Sequence, residues 1–175
     1  MLKTHSCGDL RAAHEGQEVT LAGWVHRRRD HGGLIFIDLR DHGGLVQTVF
    51  NPKTSGDAYA VGEAARGEYV LQLKGTVGRR PAGTENANLP TGEIEVRVTG
   101  ASVLNAAKTP PFYIVDETEV EELLRLKYRY LDLRRETMHN NIVMRSRATK
   151  YIRDYMTDKG FIEIETPILT APTPE

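Results

Sequence analysis

The sequence predicts a mainly-β protein: a five-stranded barrel with a short helix, then a hinge, then the first helix and strand of an α+β domain. Five segments between residues 18 and 104 alternate apolar and polar side chains or are rich in Val, Ile and Phe. The pentapeptide RDHGG occurs at residues 29–33 and again at 40–44, and its paired glycines suit tight hairpins. A different composition begins near Asn105.

The barrel prediction follows from the order of the first elements. Asn51-Pro52 ends the third strand because proline has no N–H to donate, and Ser55 can cap the helix. Three strands, a short helix and two further strands is the order of the OB barrel, which binds oligonucleotides on the face of its strands two and three. The predicted elements are strands at 18–28, 34–40, 45–50, 68–79 and 93–104, a helix at 55–65 and a polar loop at 81–92.

The second part of the chain carries different signals. A linker leads into Pro110-Pro111, and residues 125–135 are strongly basic with aromatic residues interleaved. Residues 139–159 predict an amphipathic helix that Gly160 ends, and residues 161–169 predict a strand interrupted by Pro167. Since that strand has no partner in the sequence, we expect the chain to be a fragment of a longer protein.

Composition excludes several classes of function. The 175 residues include 23 Lys+Arg and 24 Asp+Glu, so a nonspecific DNA-coating protein is not expected. The single cysteine, Cys7, excludes an internal disulfide framework, and the scattered histidines predict no metal site. No apolar run is long enough for a signal sequence or a membrane span, which favours a cytoplasmic protein with no membrane partner.

One strand face predicts a binding surface. Phe36 shares the polar face of the second strand with Asp38, close to the arginines at 27–29. An aromatic ring beside arginines suits stacking of single-stranded bases, but a solvated arginine turn with a covered Phe fits these residues equally well. The barrel order favours binding, because it gathers the arginines, Phe36 and Gln47 on or beside the oligonucleotide face.

With these elements in place, the whole chain resembles the amino-terminal part of bacterial aspartyl-tRNA synthetases, a class II family. The sequence GFIEIETPIL at 160–169 is similar to the first signature motif of class II synthetases. More specific are GWVHRRRDHGGLIFIDLRD at 23–41, NLPTGEIEV at 88–96, RLKYRYLDLRR at 125–135 and the final ETPILTAPTPE. The resemblance implies an anticodon-binding domain at residues 1–106, a hinge at 107–138 and the truncated start of the catalytic domain at 139–175.

The resemblance also implies roles for individual residues. Arg27 and Arg29 would contact the anticodon backbone or bases, Phe36 would stack on the middle base, and Gln47 would bond a base edge. Pro167 would lie in a homodimer interface, and Glu175 would bind the ammonium group of L-aspartate. The rest of the anticodon pocket would be lined by Arg80, Asn86, Asn88 and Glu95.

The implied parent activity is aspartate–tRNA ligation, which uses ATP and Mg²⁺. The chain itself lacks the later ATP-binding motifs, so we expect it to be inactive alone, without catalytic residues, bound metal or cofactor. The implied partners are tRNA-Asp, L-aspartate and a second copy of the parent chain. His31 and Gly83 resemble members that also charge tRNA-Asn, although both can be ordinary turn residues. The alternative function is a free-standing OB module that binds single-stranded nucleic acid.

Overall fold

The structure, a computed structural model, describes residues 1–117 and 119–169. It divides the chain into two compact units, Met1–Pro110 and Pro111–Glu175. The regular elements of the first unit are mostly strands, whereas those described in the second unit are helices.

The first unit is a closed barrel of five strands. Its order is β1-β2-β3-β5-β4, in which β3 and β5 run parallel and the other neighbours run antiparallel. This topology confirms the predicted mainly-β, OB-type barrel. The strands are β1 (Glu18–His31), β2 (Leu34–Asp41), β3 (Gly44–Phe50), β4 (Val70–Arg79) and β5 (Ile94–Asn105), and α1 (Ala58–Ala64) lies between β3 and β4 in sequence.

The alternation of apolar residues predicted from the sequence fills the barrel. Helix α1 packs closely on this core: a Cβ added at Gly62 would lie 2.8 Å from the Phe50 ring. Only glycine therefore allows the helix to approach the ring this closely. The fully buried side chains inside the barrel include Leu21, Val25, Ile35, Ile37, Leu39, Val46, Phe50, Leu71, Ile94 and Val96.

The two copies of RDHGG form different turns. In the first copy the β1–β2 ladder reaches the pair His31–Leu34, and Gly32 and Gly33 make the turn at φ 62° and 86°. In the second copy the β2–β3 ladder extends to Asp41–Gly44, so the turn shifts by one residue. The amino-terminal segment accounts for the difference, since a Cβ added at Gly8 would overlap the Gly43 carbonyl.

Asp41 holds this amino-terminal segment against the second turn. Its carboxylate accepts hydrogen bonds from Lys3 Nζ at 2.7 Å, from the Cys7 backbone N–H at 3.0 Å and from the Gly43 N–H at 2.8 Å. Burial raises the Asp41 pKa, but these bonds outweigh it and leave the pKa below its ordinary value. Burial also raises the pKa of the Cys7 thiol to about 12, which keeps the thiol protonated and inert.

The second unit differs from its prediction in two places. Two short helices, α2 (Glu122–Lys127) and α3 (Arg129–Asp132), lie in the basic segment, for which the sequence predicted no regular element. The amphipathic helix is present as α4 (Glu136–Asp158), and its apolar stripe, including Met144 and Tyr151, is exposed. The strand predicted at residues 161–169 is not formed: a strand needs a hydrogen-bonded neighbour, and the described part of this unit supplies none.

Candidate nucleic-acid interface

A β-bulge decides which arginines of β1 point outward. Val25 pairs with Leu39 inside the barrel, but the next pair is Arg27 with Asp38, so His26 is an extra residue on β1. This insertion reverses the alternation, and Arg27 and Arg29 join the outer face. Arg28 turns the other way, and its Nε donates to the Gly62 carbonyl of α1 at 3.0 Å.

The outward residues form two rows across neighbouring strands. In the first row Arg29 lies opposite Phe36, which lies opposite Val49, and Val49 pairs with Arg97. The second row begins with Arg27 opposite Asp38 and Asp38 opposite Gln47, and it continues to Glu95 on β5. We call this surface the platform face: Arg27, Arg29, Phe36, Asp38, Gln47, Val49, Glu95 and Arg97.

A hydrogen-bonded chain of polar groups runs through the centre of the platform face. An Nη of Arg29 donates to Asp38 Oδ1 at 2.7 Å and to Gln47 Oε1 at 3.4 Å. The Gln47 amide in turn donates to Glu95 Oε2 at 3.3 Å. Gln47 and Glu95 are only 8% and 7% exposed, so these groups are held in fixed positions beneath the surface.

Arg80 lies beside this chain of groups, directly after β4. It is 8% exposed, and its Nε donates to the Ile94 carbonyl at 2.9 Å. Burial lowers the pKa of Arg80, the charge of nearby Arg29 lowers it further, and the carboxylates of Asp38 and Glu95 oppose both effects. One Nη of Arg80 and the Nε of Arg29 are buried without a hydrogen-bond partner among the described residues. These donors suit acceptor atoms of a ligand.

Phe36 is the aromatic member of the platform face. Its side chain is half-buried, and the His31 ring contacts it edge-on, with 6.0 Å between ring centroids and 67° between the planes. The His31 turn is fixed from behind, because the Tyr59 hydroxyl of α1 donates to the Gly33 carbonyl at 2.8 Å. The structure therefore places His31 next to the Phe36 ring.

The remaining predicted residues of the barrel lie in the β4–β5 loop. Asn86 Oδ1 accepts the Asn88 N–H at 3.0 Å, and Gly83 adopts a φ of +84°. A cavity of about 510 Å³, lined partly by Asn86 and Arg11, lies under the loop. The hydrogen bonds of Asn86 and Asn88 within the described chain stay inside this loop.

Three residues were missed by the sequence analysis as site members. Asp38 was seen on the correct face but was not given a role, and it anchors Arg29. Arg97 points outward by strand alternation alone, so its place could have been found from the sequence. Tyr59 gave no such signal, because its hydrogen bond to Gly33 depends on how α1 packs.

Two predicted residues belong to the second unit. Pro167 is exposed and lies in neither a helix nor a strand, and Glu175 lies outside the described residues. Residues 1–117 and 119–169 contain no cluster of three or more His, Cys, Asp or Glu side chains that could hold a metal ion. Over the same residues, no helix is long and apolar enough to cross a membrane.

Two family models match the chain, one in each unit. Residues 19–104 match an OB-fold nucleic acid binding domain, which covers all five strands. Residues 121–175 match the class II tRNA synthetases for D, K and N, that is, for aspartate, lysine and asparagine.

Two relatives are named for one of these three amino acids, aspartate. The chain is 61% identical over its full length to an aspartate–tRNA(Asp/Asn) ligase of Dehalococcoides mccartyi (strain CBDB1). It is 60% identical over 99% of its length to the ligase of the same name from Moorella thermoacetica. Over nearly its whole length the chain is therefore similar to aspartate–tRNA(Asp/Asn) ligases. It spans 29% of the length of these relatives.

Solved synthetase structures share the fold of this chain. Asparaginyl-tRNA synthetase from Pyrococcus horikoshii superposes with a TM-score of 0.81 at 26% identity, over 97% of this chain and 39% of that one. Aspartyl-tRNA synthetase from Entamoeba histolytica gives a TM-score of 0.84 at 22% identity, over 96% and 40% of the two chains. The second likeness shows the fold alone.

Proposed function

We propose that this chain supplies anticodon recognition to an aspartate–tRNA ligase, an enzyme that uses ATP to join aspartate to tRNA. The observation that carries the proposal is the platform face, where Phe36 lies beside arginines and a buried amide–carboxylate pair. Anticodon bases are unstacked and single-stranded, and proteins read such bases by stacking and by hydrogen bonds to their edges. The platform face offers both kinds of contact.

Residues of the platform face and of its surroundings have roles suited to their chemistry. Phe36 stacks on the middle anticodon base, and the Gln47 amide bonds a base edge. Arg27 and Arg29 contact the backbone or bases. The other polar groups that line the pocket are Arg80, Asn86, Asn88 and Glu95. The buried donors of Arg29 and Arg80 that lack partners in the described chain support this assignment, because RNA is rich in acceptors.

The tRNA substrates of the parent enzyme are tRNA-Asp and tRNA-Asn. The relatives at 60% and 61% identity are named for both tRNAs. His31 and Gly83 would set this relaxed preference. The edge contact between His31 and Phe36 supports the role of His31, because it holds this ring beside the proposed stacking residue.

Successive segments of the chain correspond to different functional parts of the parent enzyme. Residues 1–106 bind the anticodon, 107–138 form a hinge and 139–175 begin the catalytic domain. Pro167 lies in the homodimer interface, Glu175 binds L-aspartate, and the enzyme works in the cytoplasm with ATP and Mg²⁺. Among the described residues no group of three or more His, Cys, Asp or Glu side chains could hold a metal ion by itself, but Mg²⁺ that is bound through nucleotide phosphates needs only one or two carboxylates.

RNA binding by the 175-residue chain tests the proposal. We expect it to bind stem-loops with the aspartate and asparagine anticodons more tightly than a mixed-sequence oligonucleotide in fluorescence anisotropy. Phe36→Ala should lose roughly 1–3 kcal/mol of binding free energy, because one base loses its stacking partner. Tyr113→Ala is the control, since Tyr113 is a 75% exposed aromatic residue outside the barrel.

Two results would contradict the proposal. Equal affinity for the stem-loops and the mixed-sequence oligonucleotide would favour a free-standing module for single-stranded nucleic acid. Unchanged affinity of the Phe36→Ala variant, with wild-type thermal stability, would show that this ring does not stack on RNA.

A further inference from the structure

Arg97 is an exposed cation at the edge of the platform face. Its side chain is 65% exposed, and its Nε lies 3.6 Å from Glu95 Oε1, which is too long for a hydrogen bond. None of the guanidinium N–H groups of Arg97 donates a hydrogen bond within the described chain. Arg29, by contrast, is committed to Asp38 and Gln47. The guanidinium N–H groups of Arg97 are therefore available to an external acceptor.

Gly78 on β4 leaves the space that the Arg97 guanidinium occupies. A Cβ added at Gly78 would lie 3.0 Å from Arg97 Cζ and 3.1 Å from its Nε. The guanidinium thus lies over bare backbone, next to Glu95, which pairs with Gly78 in the ladder. A side chain at position 78 would compete with it for this space.

Arg97 belongs to the first row, but its guanidinium lies over Gly78, beside Glu95 of the second row. The charges along this second row have a definite order. The carboxylates of Asp38 and Glu95 lie in the middle, Arg27 lies at the β1 end, and the Arg97 guanidinium lies at the β5 end. Carboxylates repel phosphates and accept hydrogen bonds from base amino groups, so the middle of the row suits bases. The two arginine ends suit phosphates, which a guanidinium binds in a planar, two-pronged geometry.

We propose that Arg97 binds a backbone phosphate of the RNA strand whose base stacks on Phe36. The inference rests on the proposed anticodon function and adds a residue that it does not include. Phe36 and Arg97 are separated by Val49 in the first row, which puts their strands about 10 Å apart. The phosphate contact fixes where the strand leaves the platform face, and it carries no base preference.

The salt dependence of RNA binding tests this contact. For the wild-type chain and Arg97→Gln, affinity for the aspartate anticodon stem-loop is measured from low to high salt. One phosphate contact contributes about 0.7 to the slope of log affinity against log salt for single-stranded RNA, so the variant's slope should be shallower by about 0.7. At about 0.1 M salt this corresponds to roughly 5-fold weaker binding. The preference for the aspartate anticodon should not change.

Two further variants isolate the effect. Arg97→Lys keeps the charge and should restore most of the slope. Arg79→Gln removes an arginine that pairs with Glu15 at 2.9 Å instead of facing the platform, and its slope should match wild type. Thermal unfolding of each variant checks that the barrel is intact.

The outcomes separate this inference from the proposed function. If the wild-type chain prefers the anticodon stem-loop but Arg97→Gln keeps the wild-type slope, the phosphate contact is wrong and the proposed function stands. If Arg97→Gln alters the preference among anticodons, Arg97 reads a base and the inference is also wrong. A wild-type chain without anticodon preference overturns the proposed function, whereas a shallower slope for Arg97→Gln with any bound RNA still supports the phosphate contact.

Discussion

Asp38 organises the platform face although it is an acidic residue on a surface proposed to bind RNA. It accepts a 2.7 Å hydrogen bond from Arg29, and its charge also acts on Arg80. A free carboxylate would repel phosphates, but this one orients an arginine and neutralises part of its charge. We therefore expect Asp38 to lower the nonspecific affinity for RNA and to fix the position of Arg29 beside the bases.

Replacing Asp38 should lower selectivity more than affinity. In Asp38→Asn the charge-assisted bond to Arg29 is weakened, so selectivity for the aspartate anticodon over a mixed-sequence oligonucleotide should fall about 5-fold, the equivalent of about 1 kcal/mol. Affinity for the mixed-sequence oligonucleotide should rise, since a negative charge is lost. Anisotropy titrations with both RNAs measure the two effects.

Asp30→Asn is the matched control for that variant. Asp30 is an exposed carboxylate at the end of β1, and its Oδ1 accepts the Gly33 N–H at 3.2 Å, a bond that asparagine can keep. We expect its selectivity to match wild type. Equal selectivity of Asp38→Asn and wild type would show that Arg29 needs no anchor.

At the scale of elements, strand alternation predicts the barrel but misses its irregularities. Periodicity located all five strands and the helix, because side chains at every second position must fill the core. The bulge at His26 could not be predicted, since an extra residue is a property of the pairing with β2 and leaves no mark in the sequence of β1 alone. Without the bulge, alternation would have placed Arg28 outward and Arg27 and Arg29 inward.

The two RDHGG turns also show that the sequence alone does not predict the exact register of strand pairing. Local glycine chemistry predicts that each copy turns, but the exact register depends on what packs against it. The second turn meets Gly8 and the bonds of Asp41 to Lys3 and the Cys7 backbone, and it forms one residue earlier in the pentapeptide than the first. Likewise, the barrel order predicted Arg29 and Gln47 as site residues and the resemblance implied Glu95, while the hydrogen bonds that connect them required the structure.

The link between the amino-terminal segment and the β2–β3 turn should depend on pH. The folded state lowers the pKa of Asp41 from 3.8, so this carboxylate stabilises the fold above that pH, and the stabilisation is lost as pH falls through the lower folded value. Asp41→Asn should cost about 1–2 kcal/mol at pH 7, because it weakens bonds to a charged acceptor. The difference from wild type should shrink below about pH 4.

Urea unfolding at several pH values measures this difference. The single tryptophan, Trp24, lies on β1, so its fluorescence follows the barrel. Glu18→Gln, an exposed carboxylate at the start of β1, should behave as wild type throughout. A constant difference between Asp41→Asn and wild type from pH 7 to pH 3 would show that folding does not lower the pKa of Asp41.

At the scale of the whole molecule, each of the two units is stabilised internally by a different kind of interaction. The barrel has one continuous apolar core, whereas α4 buries none of its residues. The second unit is instead centred on Asp132, which is fully buried and forms ion pairs with Arg125, Arg129 and Arg135. Arg135 also pairs with Asp116, whose carboxylate accepts the Thr137 N–H in the first turn of α4.

Removing the Asp132 charge should therefore destabilise the second unit selectively. In Asp132→Asn three arginines lose their shared carboxylate, and breaking a buried pair of this kind costs about 3 kcal/mol. Every partner named for Asp132 lies between residues 125 and 135, so we expect faster amide hydrogen exchange in α2, α3 and the start of α4. The strands of the barrel should keep their wild-type exchange rates, because their core contains none of these residues.

Asp154→Asn provides the comparison within the same unit. Asp154 is an exposed residue of α4 that pairs with Lys150 at 2.9 Å, and such surface pairs contribute about 0–1 kcal/mol. Its exchange rates should match wild type in both units. If Asp132→Asn also leaves α2 and α3 fully protected, the buried ion pairs are dispensable, and packing of Leu124 and Leu131, both half-buried, must hold the unit together.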